Sequence, residues 1–351
     1  MARVYRRGVF HVLMDPLSVL EKIAGLRILV VGDVMLDHYI WGDVHRISPE
    51  APVPVISARR ETWAAGGAAN VALNLAALGV DTSVLGFFGA DEPGDILRRL
   101  LHQRGVCVLG SKTDAVDGVA TIVKTRVLAR TQQVCRIDRE SKYSEYAIDG
   151  IVSLMDSLDL LVEQMDAIIV SDYAKGVVNQ ALLSKLLGHP KRRFVAVDPK
   201  PVRKLQMAGV DLLTPNRNEA MQLAGITEPP IGEHFPLEDI CKRIHEVIGP
   251  RNLIVTLGAE GMAICEAGTL KSIIPTQAQE VFDVSGAGDT VIAVLTAAMA
   301  AGADPHLSAR LANAAAGCVV AHVGTEPVRL NELRESIGKH TIAPLESLSR
   351  S

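Results

Sequence analysis

From Glu145 to Val320 the chain repeats one pattern: a short apolar run rich in β-branched residues, a polar tip, then a stretch with helical periodicity. The runs are AIIVSDYAKG (167–176), FVAVDPK (194–200), DLLTP (211–215) and NLIVTLGAEG (252–261). Helices are expected at 147–164, 179–188, 236–248 and 305–322. Near the N-terminus, Ile28 to Val31 has the same character. A strand apolar on both faces belongs inside a parallel sheet, and strands alternating with helices place helices on both faces of it. The expected class is therefore α/β, with a central, mainly parallel sheet. Ligands bind such sheets beyond the carboxyl ends of the strands. Asp33, Asp172, Asp198, Asn216, Thr256 and Asp289 each follow a strand, which would gather them along one edge.

Two segments break the pattern. Tyr39 to Trp63 carries prolines at 49, 52 and 54 and an alternating PVPVIS, the texture of edge strands. Gly118 to Asp138 alternates with period two. These inserts, about 38–63 and 118–138, are expected to pair into a small β-sheet lid over the site. The chain then divides into an N-terminal extension with a short helix (1–26), one α/β domain (27–332) and a tail (333–351).

The stretch that carries chemistry is Val281 to Thr290, VFDVSGAGDT. It reads as a glycine turn opening a buried helix, with Asp289 in the first turn. Glycines let a backbone approach a ligand closely. The first N–H groups of a helix lack partners and attract anions. A carboxylate beside them is a candidate base for a hydroxyl attacking a phosphoryl group. Alone, the same residues fit a plain turn with a first-turn acid equally well. Gly66-Gly67 opens another helix, with Asn70 in its first turn, and suits either close packing or contact with a sugar hydroxyl. Asn216 and Glu219 in NRNE lie on one helical turn, fitting an N-cap or a water-mediated Mg²⁺ site. TLGAEG offers Thr256, Gly258 and Gly261 as a phosphate-lining turn or a simple hairpin connection. Asn313 is an amide among alanines.

Other classes are excluded by what the sequence lacks. GxxxxGK[ST] is absent, and so is GxGxxG after Val31. The ten histidines form no metal-ligand spacing, and a net charge of −4 gives no general pull toward nucleic acid. The five cysteines are scattered without CxxC, as expected of free thiols in a reducing cytoplasm. The arginine-bearing start reaches Asp15-Pro16 without a cleavage site, and the apolar stretch from Thr290 to Ala301 is too short to cross a bilayer. A cytoplasmic location without membrane contact is the expectation.

GG-AAN at 66–70, NRNE at 216–219 and DVSGAGDT at 283–290, in this order and spacing, resemble the ribokinase (phosphofructokinase-B) family over nearly the whole chain. GDVMLD (32–37), RISPEAPVPV (46–55), SDYAKG (171–176), LLTPN (212–216), PTQAQEVFDVSGAGDTVI (275–292) and ANAAAG (312–317) resemble its branch of heptose-7-phosphate kinases, in the form without an adenylyltransferase domain. The resemblance implies a ribokinase-like fold and ATP-dependent phosphorylation of D-glycero-β-D-manno-heptose 7-phosphate at C1, in ADP-heptose and lipopolysaccharide-core synthesis. It implies Asp289 as the base, with the N–H groups of Gly286, Ala287 and Gly288 holding the transferred phosphoryl group. It puts Asn216, Glu219, Thr256, Gly258, Gly261 and Asn313 at the nucleotide, with Mg²⁺ near Glu219 through water and a monovalent cation compatible. Asp33, Asp37, Gly66, Gly67 and Asn70 would meet the sugar. Lys175, Lys200, Arg126, Arg130 and Arg136 are its candidate phosphate ligands or else solvated charges. A homodimer through the lid is implied. Another sugar or nucleoside acceptor, or a non-catalytic regulator on the same fold, stays open at this point.

Overall fold

The computed structural model describes residues 14–110, 118–130, 132–227, 234–277, 283–322 and 324–340. The expected N-terminal extension before Met14, the tail after His340, and Val281-Phe282 lie outside the described residues.

A short helix α1 (Pro16–Ile23), capped by the Asp15 side chain, leads into strand β1 (Arg27–Gly32). One residue, Asp33, separates β1 from β2 (Val34–Ile47), which pairs antiparallel with β3 (Pro54–Gly67). Helix α2 (Ala68–Ala77), β4 (Asp81–Leu85), α3 (Glu92–His102) and β5 (Cys107–Leu109) follow. Next come β6 (Val123–Ala129) and β7 (Gln132–Arg139). The alternating part runs α4 (Val152–Gln164), β8 (Ala167–Ser171), α5 (Gln180–Gly188), β9 (Val195–Asp198), β10 (Leu212–Leu213), α6 (Arg217–Ala224), α7 (Leu237–Val247) and β11 (Asn252–Thr256). The hairpin β12 (Met262–Glu266) and β13 (Thr269–Ile274) precedes α8 (Ala287–Ala300), α9 (Pro305–Val320) and α10 (Leu330–His340).

Among the described residues the large sheet has the order β13-β12-β11-β10-β9-β8-β1-β4-β5, parallel except at the β12–β13 end. Alternation within β1 explains why both faces are covered. Ile28 and Val30 join the core beneath α1, α2, α8 and α9, while Leu29 and Val31 join the core beneath α4 to α7. All four are fully buried. Thr256, Asn216, Asp198, Asp172 and Asp33 follow β11, β10, β9, β8 and β1, which are neighbours in the sheet. Five of the six expected tips therefore lie along one edge, and the sixth, Asp289, lies in the first turn of α8.

The smaller sheet has the order β3-β2-β6-β7, with β2 and β6 parallel from Leu36↔Val123 to Gly42↔Ala129. The two inserts pair as expected, but the first begins at Val34 rather than near 38, because β1 passes into β2 with no loop. The helix expected at 147–164 starts only at Val152. Asp149-Gly150 turns the chain there, and a one-turn 3-10 helix, Tyr143–Tyr146, precedes it.

The expectation of free thiols throughout is corrected at one pair. Cys241 of α7 and Cys265 of β12 are joined as a disulfide, with Cα atoms 6.0 Å apart. Their spacing hid this, since the contact arises only when α7 packs on the hairpin. Cys107, Cys135 and Cys318 are free.

Candidate active site

The turn before α8 is built by its glycines and by Asp283. Gly286 has φ +80°, and a Cβ there would lie 2.7 Å from Asn70 Nδ2 and 3.0 Å from Thr325 Cγ2. Glycine is required on both counts. Asp283 fastens the turn, accepting from Ser285 N at 2.9 Å and from Gly324 N at 3.0 Å. The Ala287 N–H points back at the Val284 carbonyl at 3.3 Å, so this one of the three expected anion-holding groups already has a long internal bond. Gly288 is in the first turn of α8, where no carbonyl four residues back lies within the helix. Nothing stands within 4 Å of where its Cβ would be.

Asp289 is the next residue and is 2 % exposed. Its Oδ2 accepts from Asn70 Nδ2 at 2.8 Å and its Oδ1 from the Tyr173 hydroxyl at 2.7 Å. Asn74 orients the Asn70 amide by donating to the Asn70 carbonyl at 2.9 Å and, more weakly, to its Oδ1 at 3.3 Å. Burial pushes the Asp289 carboxyl up to about 6, against the pull of the Asn70 and Tyr173 hydrogen bonds. A buried carboxylate poised near neutrality can take a proton from an alcohol as its oxygen becomes a nucleophile. Asn70, expected at the sugar, is instead engaged with this acid.

Asp33, expected at the sugar, is held by backbone N–H groups. Its Oδ2 accepts from Tyr173 N at 2.8 Å and Lys175 N at 3.0 Å, and its Oδ1 from Val177 N at 3.0 Å. The side chain is fully buried. It anchors the loop after β8.

Asp37 is buried in the smaller sheet. It lies on β2, and a Cβ on Gly66 would come 2.5 Å from its Oδ2. Arg126 reaches it from β6 with an ion pair. Gly67 has φ +58°, and a Cβ there would press on the Asp33 carbonyl at 2.4 Å. Lys124, also on β6, lies 5.6 Å above the centre of the Tyr173 ring, and burial lowers its pKa. Lys175 pairs with Glu140 at 2.5 Å. Arg136 is drawn to Asp138 on its own strand at 2.8 Å, and β7 is exposed throughout. Arg130 lies 3.8 Å from Asp43, on an exposed corner. Of the three lid arginines, only Arg126 comes inward.

On the other side, Asn216 and Glu219 form a reciprocal cap of α6: Asn216 Oδ1 accepts from Glu219 N at 3.0 Å and Glu219 Oε2 from Asn216 N at 2.9 Å. Lys200 donates to Glu219 Oε1 at 2.9 Å, so Lys200 lies with this acid and not with the lid cations. Asp198, half-buried at the end of β9, is nearby; desolvation first and the Glu219 charge second raise its pKa strongly. Gly258 has φ +63° and faces open space, whereas a Cβ on Gly261 would collide with the Ile274 carbonyl at 1.9 Å. Gly258 can therefore border a ligand, and Gly261 is demanded by the hairpin. Thr256 accompanies them at the end of β11. Asn313 donates to the Pro275 carbonyl at 2.6 Å, tying α9 to the segment after β13. Among the described residues no three His, Cys, Asp or Glu side chains converge on a metal-sized point. A magnesium ion would fit only with the nucleotide's own phosphates as its main ligands and Glu219 beyond them.

Residues 26–331 match the family described as pfkB family carbohydrate kinase. The chain belongs to that family. This pfkB-family chain is 43 % identical over 321 residues to the bifunctional protein HldE of Desulfatibacillum aliphaticivorans, covering 90 % of the chain and 64 % of the relative. Against the bifunctional protein HldE of Geobacter sulfurreducens it is 42 % identical over 323 residues, covering 92 % and 65 %. The chain thus spans just under two thirds of the length of these curated relatives. A carbohydrate kinase from Agrobacterium tumefaciens has a TM-score of 0.71 at 21 % identity, covering 89 % of this chain and 97 % of that one. Arabidopsis thaliana ribokinase, solved with ribose and ATP, gives 0.66 at 21 % identity, covering 89 % and 98 %. The structural matches establish a ribokinase-like fold. No helix among the described residues is long and apolar enough to cross a membrane.

In this pfkB-family chain Tyr173, Lys124, Asn74 and Asp283 gather around Asp289 and the α8 turn, and the motifs read from the sequence do not single them out. Tyr173 had the clearest signal, an aromatic hydroxyl directly after the polar tip Ser171-Asp172. Asn74 and Asp283 act through contacts distant in sequence and left none.

Proposed function

We propose that the chain transfers the terminal phosphoryl group of ATP to the C1 hydroxyl of D-glycero-β-D-manno-heptose 7-phosphate, giving the 1,7-bisphosphate on the way to ADP-heptose. The observation that carries the reading is Asp289: buried, held at both oxygens, raised to about 6, and one residue beyond the open Gly288. Asp289 accepts the hydroxyl proton as the oxygen attacks. The N–H groups at Gly286 and Gly288, with the positive end of α8, hold the oxygens of the group in transit. Glu219 and Asn216 would hold Mg²⁺ through water, and the ion when bound would supply neutralisation of phosphate charge. Thr256, Gly258 and Asn313 border the nucleotide. Asp37, with Arg126 and the Gly66 backbone, holds sugar hydroxyls, and Lys175 and Lys124 supply positive charge for the sugar's own phosphate. The long strings shared with heptose-7-phosphate kinases support this acceptor over other sugars.

A homodimer through the lid accompanies the reading. Val44, Ile47, Val53, Val134 and Ile137 of the smaller sheet and its β2–β3 connection are exposed apolar residues that a second lid would cover.

The test is ADP release from MgATP with the heptose 7-phosphate beside ribose, fructose 6-phosphate and sedoheptulose 7-phosphate, for wild type and Asp289→Asn. Turnover on the heptose phosphate alone, lost by orders of magnitude in Asp289→Asn, is expected. Turnover on another acceptor only would discard the heptose assignment and keep the phosphoryl-transfer site. Undiminished turnover in Asp289→Asn would remove Asp289 as the base.

A further inference from the structure

We infer that Tyr173 is a positioning residue for the phosphoryl-transfer step: its hydroxyl holds one oxygen of Asp289 and keeps that acid available as an ionised base. The inference rests on the reading of Asp289 as the base.

The geometry forms a relay from the sheet edge to the acid. Asp33 takes three backbone N–H groups of the loop after β8, one of them that of Tyr173 itself, at 2.8 Å. The loop is therefore fixed where Tyr173 leaves it. The phenol crosses to Asp289 and donates at 2.7 Å, from a residue 116 positions away in the chain. Asn70 takes the other oxygen from the opposite side. With both oxygens held, the carboxylate cannot rotate, and each oxygen keeps a remaining lone pair for a substrate hydroxyl. The donor is the phenol, because burial first and the Asp289 charge second hold Tyr173 well above its ordinary value.

Other groups also act on Asp289. Asp37 on β2 pushes its pKa up and Lys124 on β6 pulls it down. Asp198 at the end of β9 is a further acid close enough to interact. The two carboxylates and burial disfavour the ionised form, so the Asn70 and Tyr173 hydrogen bonds and Lys124 are what oppose them. Lys124, over the Tyr173 ring, also links the lid to this phenol.

The experiment is a pH titration of the aspartate carboxyls by carbon NMR in the ligand-free full chain. The Asp289 signal is assigned by its loss in Asp289→Asn. In Tyr173→Phe the Asp289 midpoint should rise by about one pH unit or more, the effect of losing one hydrogen bond to a charged acceptor. The acidic limb of kcat/KM should move with it. Fluorotyrosine placed at 173 is a stronger donor and should lower the midpoint; it also answers the question if Tyr173→Phe does not fold. A midpoint that stays in place in the fluorotyrosine protein and in a folded Tyr173→Phe overturns the proposal. The two readings fail separately. Turnover retained in Asp289→Asn removes the base, whatever the phenylalanine variant does. An inactive Asp289→Asn beside an unmoved midpoint removes only the tyrosine's role.

Discussion

Lys200 and Glu219 lie 2.9 Å apart, an ion pair between residues that the sequence alone would send to different ligands. The glutamate's second oxygen is taken by the Asn216 N–H. A cation near the nucleotide phosphates must therefore share Glu219 with an ammonium already in place. Glu219→Gln keeps an acceptor for the cap but loses the charge. It should raise the Mg²⁺ concentration needed for half-maximal rate several-fold and leave the melting temperature nearly unchanged, since Lys200 is half exposed and such pairs contribute about 0–1 kcal/mol. A metal titration of initial rates beside a melting curve checks both.

Asp172 gives a stability prediction. Burial raises its carboxyl to about 7, although it accepts from Ala174 N at 2.7 Å. The unfolded value is about 3.9. Between the two the folded state binds the extra proton, so this group's contribution to stability is present in full below about pH 4 and is lost as pH rises through about 7. Asp172→Asn should exceed wild type in stability at pH 8 by on the order of a few kcal/mol, with the gain vanishing near pH 4. Urea melts at the two pH values test it, and equal gains at both would contradict the shift.

The two glycines of the turn should fail in different ways. Gly286→Ala meets Asn70 and forces φ +80° on a residue with a Cβ, so it should unfold at lower temperature, with a loss of about 1–3 kcal/mol. Gly288→Val projects into open space and should fold nearly as wild type, yet lose phosphoryl transfer by at least about 100-fold, as when one oxyanion donor is removed. Calorimetry and steady-state rates on both variants separate the outcomes. Wild-type rates in Gly288→Val would sink the anion-holding role.

Arg126 and Asp37 invite a double-mutant cycle. Their side chains are 16 % and 6 % exposed, so removing one partner strands a largely buried charge at a cost approaching about 3–5 kcal/mol. Arg126→Met and Asp37→Asn should each destabilise, and the double variant should recover much of the loss. The KM for the sugar should rise at least about tenfold in all three and should not recover. Recovery of KM in the double variant would make the pair purely structural.

The parallel sheet was legible because both-face burial leaves a continuous apolar run, as in Ile28 to Val31, and no other strand environment does so. The glycine turn before α8 was legible because its φ of +80° at Gly286 favours glycine. The role of Asp33 was not. A carboxylate at a strand tip looks the same whether it faces a ligand or a loop, and only the fold brings Tyr173, Lys175 and Val177 around it. The ion pair of Arg136 was hidden for a similar reason. Strand alternation fixes which face a cation takes, but the nearby Asp138 decides where its guanidinium goes. The Cys241–Cys265 bond depended on a helix-to-hairpin contact that spacing does not encode.

The β2–β3 hairpin leaves the large sheet at Asp33 and returns at Gly67, and the Ala68 N–H donates to the Asp33 carbonyl at 3.1 Å. Its two ends are thus one hydrogen bond apart. A segment whose ends meet in this way is a cassette. Replacing 34–66 with the matching hairpin of a relative, while keeping the glycine at 67, would exchange Asp37 and the Gly66 backbone together and keep Asp289, Tyr173 and Glu219, while renewing what Asp37 and Tyr39 present to Asp289 and Thr325. Acceptor preference in such a chimera, read beside its rate of phosphoryl transfer, would show how far the hairpin and the α8 turn act independently.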